Sequence, residues 1–290
     1  MECRLCPRNC LTDRKQKVGF CSIDDKIYLA KAYLHKFEEP CISGTNGSGT
    51  VFFSGCNMKC CFCQNHCISA EMKGKEVSVQ RLAEIFCELE SKGAHNINLV
   101  TGTMYADKII TAAKQAEINI PIVYNCGGYE NVSTVRALGE VVDIFMPDIK
   151  FYSSELSDRY CKAVDYFEKA ISALDEMIAI AGNPVIDDDG IMQSGVIVRH
   201  LVMPSCYKDS LKILEILYER YGTDKFLLSL MSQYVPNGNA KDHPEINRRL
   251  TTFEYEKVID AASEYGFQGF MQDRSSAIGE YIPDFDFEGV

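Results

Sequence analysis

From Thr50 onward, short apolar runs alternate with amphipathic stretches, a pattern that predicts βα units on a mostly parallel sheet. The runs begin at Thr50 and recur at residues 97–101, 120–125, 141–146, 195–202 and 226–231, with a shorter one at 267–271. Between them, apolar residues return at helical spacing over residues 78–92, 105–117, 156–181, 208–221 and 252–265. Six or seven such strands, joined by right-handed crossovers, close into a whole or partial barrel. Residues 183–194, with Pro184 and Asp187-Asp188-Asp189-Gly190, read as an exposed loop, and residues 38–49 as a loop leading into the Thr50 strand. The glycines of that second loop permit turns; no Lys-Ser/Thr pair follows them to make a phosphate cradle.

The chain has 290 residues, 46% of them hydrophobic, enough for one large barrel or two modest domains. The expected division is a cysteine-rich extension over residues 1–48, a barrel over 49–272 and a tail over 273–290. No run approaches the roughly 18 apolar residues of a membrane helix. The start, Met1-Glu2-Cys3-Arg4-Leu5-Cys6, lacks the apolar centre of a signal peptide, so a cytoplasmic protein is expected. A formal net charge of −11 argues against a nucleic-acid partner held through its phosphates and points to small molecules or proteins. The 14 cysteines change the picture further, because their clustering favours thiolate ligation over disulfides in such a compartment.

Cys56, Cys60 and Cys63 lie in one short loop directly after the Thr50 strand. Three thiols at this spacing suit an iron–sulfur cubane, [4Fe-4S], in which the fourth iron is left for a ligand that is not protein. Cys61 and Cys67 allow a second register, Cys60, Cys63 and Cys67. The first is preferred because Cys56 follows the strand directly, and because Phe62, beside the last thiol, is placed to shield a cluster. A zinc knot or buried free thiols are the alternatives. Cys3, Cys6, Cys10 and Cys21 form a second group, with Pro7, Arg8 and Gly19 as turn material. A segment this short buries no core of its own, so a metal would supply its order, either zinc or a second cluster.

Chemistry in α/β barrels gathers at the carboxyl ends of the strands. Those ends carry Thr101-Gly102-Thr103, Asn125-Cys126-Gly127-Gly128, Pro147-Asp148-Ile149-Lys150, Arg199-His200 and Ser232-Gln233-Tyr234. Singly each has a plain reading, with Asp148 and Lys150 a surface pair and His200 a hydrogen-bonded core residue. Together with an open cluster they describe a polar cavity around a metal.

The Cys56, Cys60, Cys63 spacing with Phe62 before the last thiol resembles the signature of the radical S-adenosylmethionine enzymes. Residues 47–56, 124–130 and 198–204, with Cys3-Arg4-Leu5-Cys6-Pro7-Arg8-Asn9-Cys10, resemble an uncharacterised branch grouped with the pyruvate formate-lyase activating proteins. The resemblance implies a partial (β/α)6 TIM-like barrel in which S-adenosylmethionine chelates the iron left open by Cys56, Cys60 and Cys63. One-electron cleavage would then give methionine and a 5′-deoxyadenosyl radical that takes hydrogen from a substrate. It further implies cofactor-binding roles for Asp148 and Lys150, for Arg199 and, more loosely, for Asn125. Thr101, Gly102 and Thr103 stand where relatives carry Gly-Gly-Glu against the methionyl amine, so contact there would run through backbone carbonyls and the Thr103 hydroxyl. The expected partners are a one-electron donor such as flavodoxin or ferredoxin and a substrate of unknown identity, with a glycine of a partner protein one candidate. A non-enzymatic iron–sulfur electron carrier, or a zinc-stabilised binding module, is the reading from another class.

Overall fold

In a computed structural model, which describes residues 2–272 and 283–290, the predicted runs form strands of one sheet. The strands are β1 (Ile27–His35), β2 (Ser48–Phe53), β3 (Lys75–Val77), β4 (Ile97–Val100), β5 (Ile122–Cys126), β6 (Ile144–Pro147), β7 (Val185–Ile186), β8 (Met192–Leu201), β9 (Leu227–Met231) and β10 (Gly269–Met271). Their order is β10-β9-β8-β6-β5-β4-β2-β1-β3, with β7 paired to β8. From β2 to β10 every neighbour along this path is parallel. Six of these strands carry the partial (β/α)6 TIM-like barrel, and β10 extends it. Parallel strands are covered on both faces, which explains why β4, β5 and β6 are buried along their whole length and read as unbroken apolar runs.

The crossover helices carry local start signals. Ser78 accepts from the Arg81 amide at the start of Val79–Ser91, and Thr251 forms a capping box with Glu254 ahead of Thr252–Tyr265. The stretch expected as one helix over 156–181 is two, Ser154–Cys161 and Tyr166–Ala181. Lys162 turns left-handed between them (φ 55°), without the glycine or proline that would have announced the break.

Strand β1 is antiparallel to β2, so the sheet extends into residues before 49. Its last residue, His35, lies opposite Ser48, the first of β2, and β1 therefore ends at the amino ends of the parallel strands. The loop expected over 38–49 contains a helical turn, Pro40–Ser43, that plugs the barrel floor. Cys41 and Ile42 pack there against Val123, Ile144, Met146, Met192 and Ile197. Of the expected tail, residues 273–282 lie outside the described residues. Residues 283–290 line the outer edge of β1, where Phe287 donates to the Ala30 carbonyl and Ala32 to that of Glu288.

Candidate active site at the strand carboxyl ends

Loop 54–65 is fixed from several sides by backbone bonds. Ser54 donates to Tyr28 O, Gly55 to Ile68 O, Lys59 to Cys161 O and Cys61 to Tyr160 O. Gly55 turns left-handed (φ 81°), and a Cβ there would meet Ile23 at 2.5 Å. Arg8 clamps the loop from outside, donating through Nε to Asn57 O at 2.8 Å, while Asn57 Nδ2 donates to Tyr129 O at 2.6 Å.

Cys56, Cys60 and Cys63 are partly buried. The Met58 amide donates to Cys56 Sγ at 3.4 Å, and Cys63 Sγ lies 3.3 Å from Ser69 Oγ. Burial pushes the Cys56 and Cys63 thiols up; contact with Cys161, 3.2 Å between sulfurs, holds Cys60 down. Among the described residues no three metal-ligating side chains stand already gathered. Cys56, Cys61 and Cys67 do not line the cavity that Cys60 and Cys63 border, and Cys67 packs against the group of Phe52 and Phe285. Phe62 is buried in that cavity's wall, with Phe151 and Tyr234 against its ring.

This cavity, about 230 Å³, brings together Cys60, Cys63, Asn125, Asp148, Lys150 and Arg199. Arg199 Nε donates to Asp148 Oδ1 at 3.0 Å, and Nη2 donates to Asn125 Oδ1 at 2.7 Å. Lys150 pairs with the other oxygen of Asp148. Burial alone would raise Asp148, but Lys150 and Arg199 hold its carboxyl below the ordinary value. The Asp148 backbone is set just as firmly. Tyr166 donates to its carbonyl at 2.7 Å, and a Cβ on Gly128 (φ 80°) would sit 2.2 Å from that same oxygen. Asp148 and Lys150 are thus an interior pair. His200 is the expected hydrogen-bonded core residue, with its ring nitrogens at Ile149 O and Ser210 Oγ and burial holding it down at about 4.

The Thr101-Gly102-Thr103 turn is placed differently. Thr103 is buried in a short 3-10 helix (Thr103–Tyr105) and donates to Glu130 Oε1 at 2.8 Å, while Tyr124 donates to Thr103 at 3.1 Å. Its hydroxyl is therefore committed to a buried carboxyl and not to the cavity, because the helical turn after Gly102 points it inward. Burial pushes Glu130 up to about 8. Glu130 closes the run 124–130 and has no local signature of its own.

Sequence reasoning also missed Glu38, which reaches the cavity from the barrel floor. Its Oε1 accepts from Asn98 at 3.2 Å and Asn125 at 3.4 Å, and Oε2 lies 3.4 Å from Arg199 Nη1. The rule of carboxyl strand ends does not reach a residue arriving from the opposite end. Cys161 ends the helix Ser154–Cys161 and likewise carries no motif. A separate cavity of about 460 Å³ lies under the amino-terminal segment beside Cys3, Arg14 and Thr134 and contains none of the strand-end groups.

The partial barrel and the thiol loop at its first parallel strand define the radical SAM superfamily, and the chain belongs to it. The family model for that superfamily matches residues 50–187. An uncharacterised protein of Methanocaldococcus jannaschii is 32% identical over 275 residues, covering 91% of this chain and 75% of its own. The solved structure of HydG, a maturase of the [FeFe]-hydrogenase, matches with a TM-score of 0.52 at 13% identity over 75% of this chain and 49% of that one. Streptococcus suis SuiB, bound to the precursor peptide SuiA, matches with a TM-score of 0.51 at 11% identity over 75% and 46%. This chain spans about half the length of these two, and the likeness shows the fold alone. The family implies an enzyme that uses a [4Fe-4S] cluster and S-adenosylmethionine.

Proposed function

We propose that Cys56, Cys60 and Cys63 hold the cluster and that Asp148, Lys150, Arg199 and Asn125 seat S-adenosylmethionine beside it. The observation that carries this reading is the shared cavity, into which Cys60 and Cys63 open together with the paired charges of two strand ends and Asn125 of a third. The donor set fits, since soft thiolates suit iron, the Met58 amide already points at Cys56 Sγ, and Lys150 lies near all three thiols. When bound, the pair supplies a 5′-deoxyadenosyl radical that takes a hydrogen atom from a substrate. The protein's part is to bind and to exclude water. Arg199 is aligned by Asp148 and Asn125 as a fixed cation for the methionyl carboxylate. Phe62 covers the thiol loop, and Tyr166 holds the Asp148–Lys150 turn by donating to Asp148 O and accepting from the Lys150 amide. Membership of this superfamily favours an enzyme over an electron carrier or a zinc-stabilised module. The narrower reading, installing a radical on a glycine of a partner protein, rests on the sequence resemblance.

The test is anaerobic reconstitution followed by dithionite and S-adenosylmethionine. About four irons per cluster and release of 5′-deoxyadenosine are expected; an intact cluster that releases none sinks the proposal.

We also propose that Cys3, Cys6, Cys10 and Cys21 bind a metal. Gly19 supports this, because a Cβ there would sit 3.4 Å from Cys10 Sγ and 3.5 Å from Cys21 Sγ, so both sulfurs face one point. Backbone hydrogen bonds from Arg8, Phe20 and Ile23 reach Cys6, Cys10 and Cys21 respectively, as amides do around metal-bound thiolates.

A further inference from the structure

The cavity beside Cys60 and Cys63 adjoins a second one of about 120 Å³, and the two share Phe37, Glu38, Arg199, Met231 and Gln233 in their walls. At about 30 Å³ for a water, the smaller chamber has room for roughly four water-sized groups. Glu39 lines it and is only 8% exposed. Ser229 hydrogen-bonds to Glu39, yet Glu39 Oε2 has no hydrogen-bond partner.

Among the described residues the cations nearby, Arg199 and Lys150, each already face a carboxyl group of the protein. Arg199 meets Asp148, Asn125 and Glu38, and Lys150 meets Asp148. Three carboxyl groups therefore face two cations, and among the described residues Glu39 is the one outside ion-pair contact; burial raises both Glu38 and Glu39, so a cation seated here would be what holds Glu39 ionised. Asn98 deepens the deficit, because its Nδ2 donates to Glu38 while its fully buried Oδ1 has no partner. Among the described residues this layer of the barrel is short of donors and of positive charge, a costly state for buried groups unless a ligand supplies both.

We propose that this chamber is the substrate end of the site and receives a primary ammonium group on a short carbon stem, with Glu39 Oε2 as its partner. Charge, donor count and size agree. An ammonium brings one positive charge and three donors to a wall that holds the unpaired Glu39 Oε2, whereas a carboxylate or phosphate would set a further acid beside Glu38 and Glu39. Seated against Glu39, such a ligand extends its stem past Arg199 toward the cavity of Cys60 and Cys63, where a C–H bond is presented. The inference rests on the radical SAM reading of that larger cavity, and the experiment separates the two.

The protein, anaerobically reconstituted and bound to S-adenosylmethionine, is titrated with methyl- through hexylammonium, with butanol and butyrate as controls. Thermal midpoint and equilibrium dialysis serve as readouts. Saturable binding that peaks at about three to five heavy atoms is expected, with no gain from butyrate, and Glu39→Gln should weaken it about tenfold or more. Equal binding of butanol and butylammonium, or a profile flat in chain length, overturns the proposal, and both are read on the wild type should Glu39→Gln not fold. Unchanged binding in a folded Glu39→Gln variant overturns it as well. Release of 5′-deoxyadenosine by the wild type without amine is scored separately, so loss of that release with amine binding intact counts against the cofactor reading alone.

Discussion

The loop of Cys56, Cys60 and Cys63 and the segment of Cys3, Cys6, Cys10 and Cys21 are both short and rich in thiols, yet they are held in opposite ways. The first follows a buried strand, is bonded by its backbone to Tyr28, Ile68, Tyr160 and Cys161, and faces a lattice of paired charges. The second rests on long side chains reaching to the barrel. Arg14 Nε and Nη1 donate to Asp24 O and Met104 O, and Arg8 donates to Asn57 O. It also leaves Leu11, Val18 and Phe20 exposed. One site is built by the core and would keep its shape without a metal; the other has little core and would depend on one. They meet at Ser22, whose hydroxyl accepts from Lys59 of the first loop at 3.4 Å, and at Arg8. Order in the amino-terminal segment therefore bears on the back of the cluster loop.

The sharpest break of this comparison is a thiol exchange. Cys60→Ala should abolish both cluster and cofactor cleavage, with activity falling about a thousandfold or more, and the fold should survive because the backbone bonds of the loop remain. Cys61→Ala should spare cluster and cleavage. Iron content, visible absorbance and circular dichroism on the two variants check this, and a cluster retained in the Cys60 variant would show that the ligand register is wrong.

Next comes Arg199→Ala, which leaves Glu38 buried without a cation and Asp148 with Lys150 alone. Stability should fall by about 3–5 kcal/mol, the usual cost of halving a buried ion pair, as read by denaturant unfolding without added cofactor. A loss below about 1 kcal/mol would mean that water reaches the lattice and that it is not a dry site.

A smaller effect is expected at the amino terminus. Chelation, or Cys6→Ser combined with Cys21→Ser, should cost roughly 2–3 kcal/mol, or about 5 °C in thermal midpoint, while the cluster at Cys56 persists. Elemental analysis distinguishes zinc from iron, and a fully stable, metal-free wild-type segment would remove the proposed site.

Much of the barrel was legible because parallel strands buried on both faces advertise themselves as unbroken apolar runs, and because the Thr252–Tyr265 helix carries its own cap. Strand β1 was not read. Its Lys31 interrupts the apolar run and is buried against Asp286, Glu288 and the Asp284 carbonyl, some 250 residues away. The strand-end rule brought Asn125, Asp148, Lys150 and Arg199 to one cavity. It missed Glu38 and Glu39, since both arrive through the floor plug. Local sequence likewise leaves Thr103 free to face a ligand, whereas Glu130, from the next loop, takes its hydroxyl.

That last contact gives a prediction spread over a wide pH range, and it concerns the core behind the site. Glu130 is raised to about 8 in the folded chain, against 4.5 for an ordinary glutamate. Between those two values the folded state keeps its proton and the unfolded state releases it. Stability is then fully present below about pH 4.5 and is lost as pH rises through about 8, by at most about 1.4 kcal/mol per pH unit from this group. Glu130→Gln keeps the size and the acceptor for Thr103 but has no proton to lose. Its unfolding free energy, measured from pH 5 to 8.5, should lack that part of the decline, so the two curves should separate toward high pH with the variant above the wild type. Parallel curves would mean that Glu130 is ionised in the folded protein, with Thr103 and Tyr124 donating to a carboxylate at neutral pH.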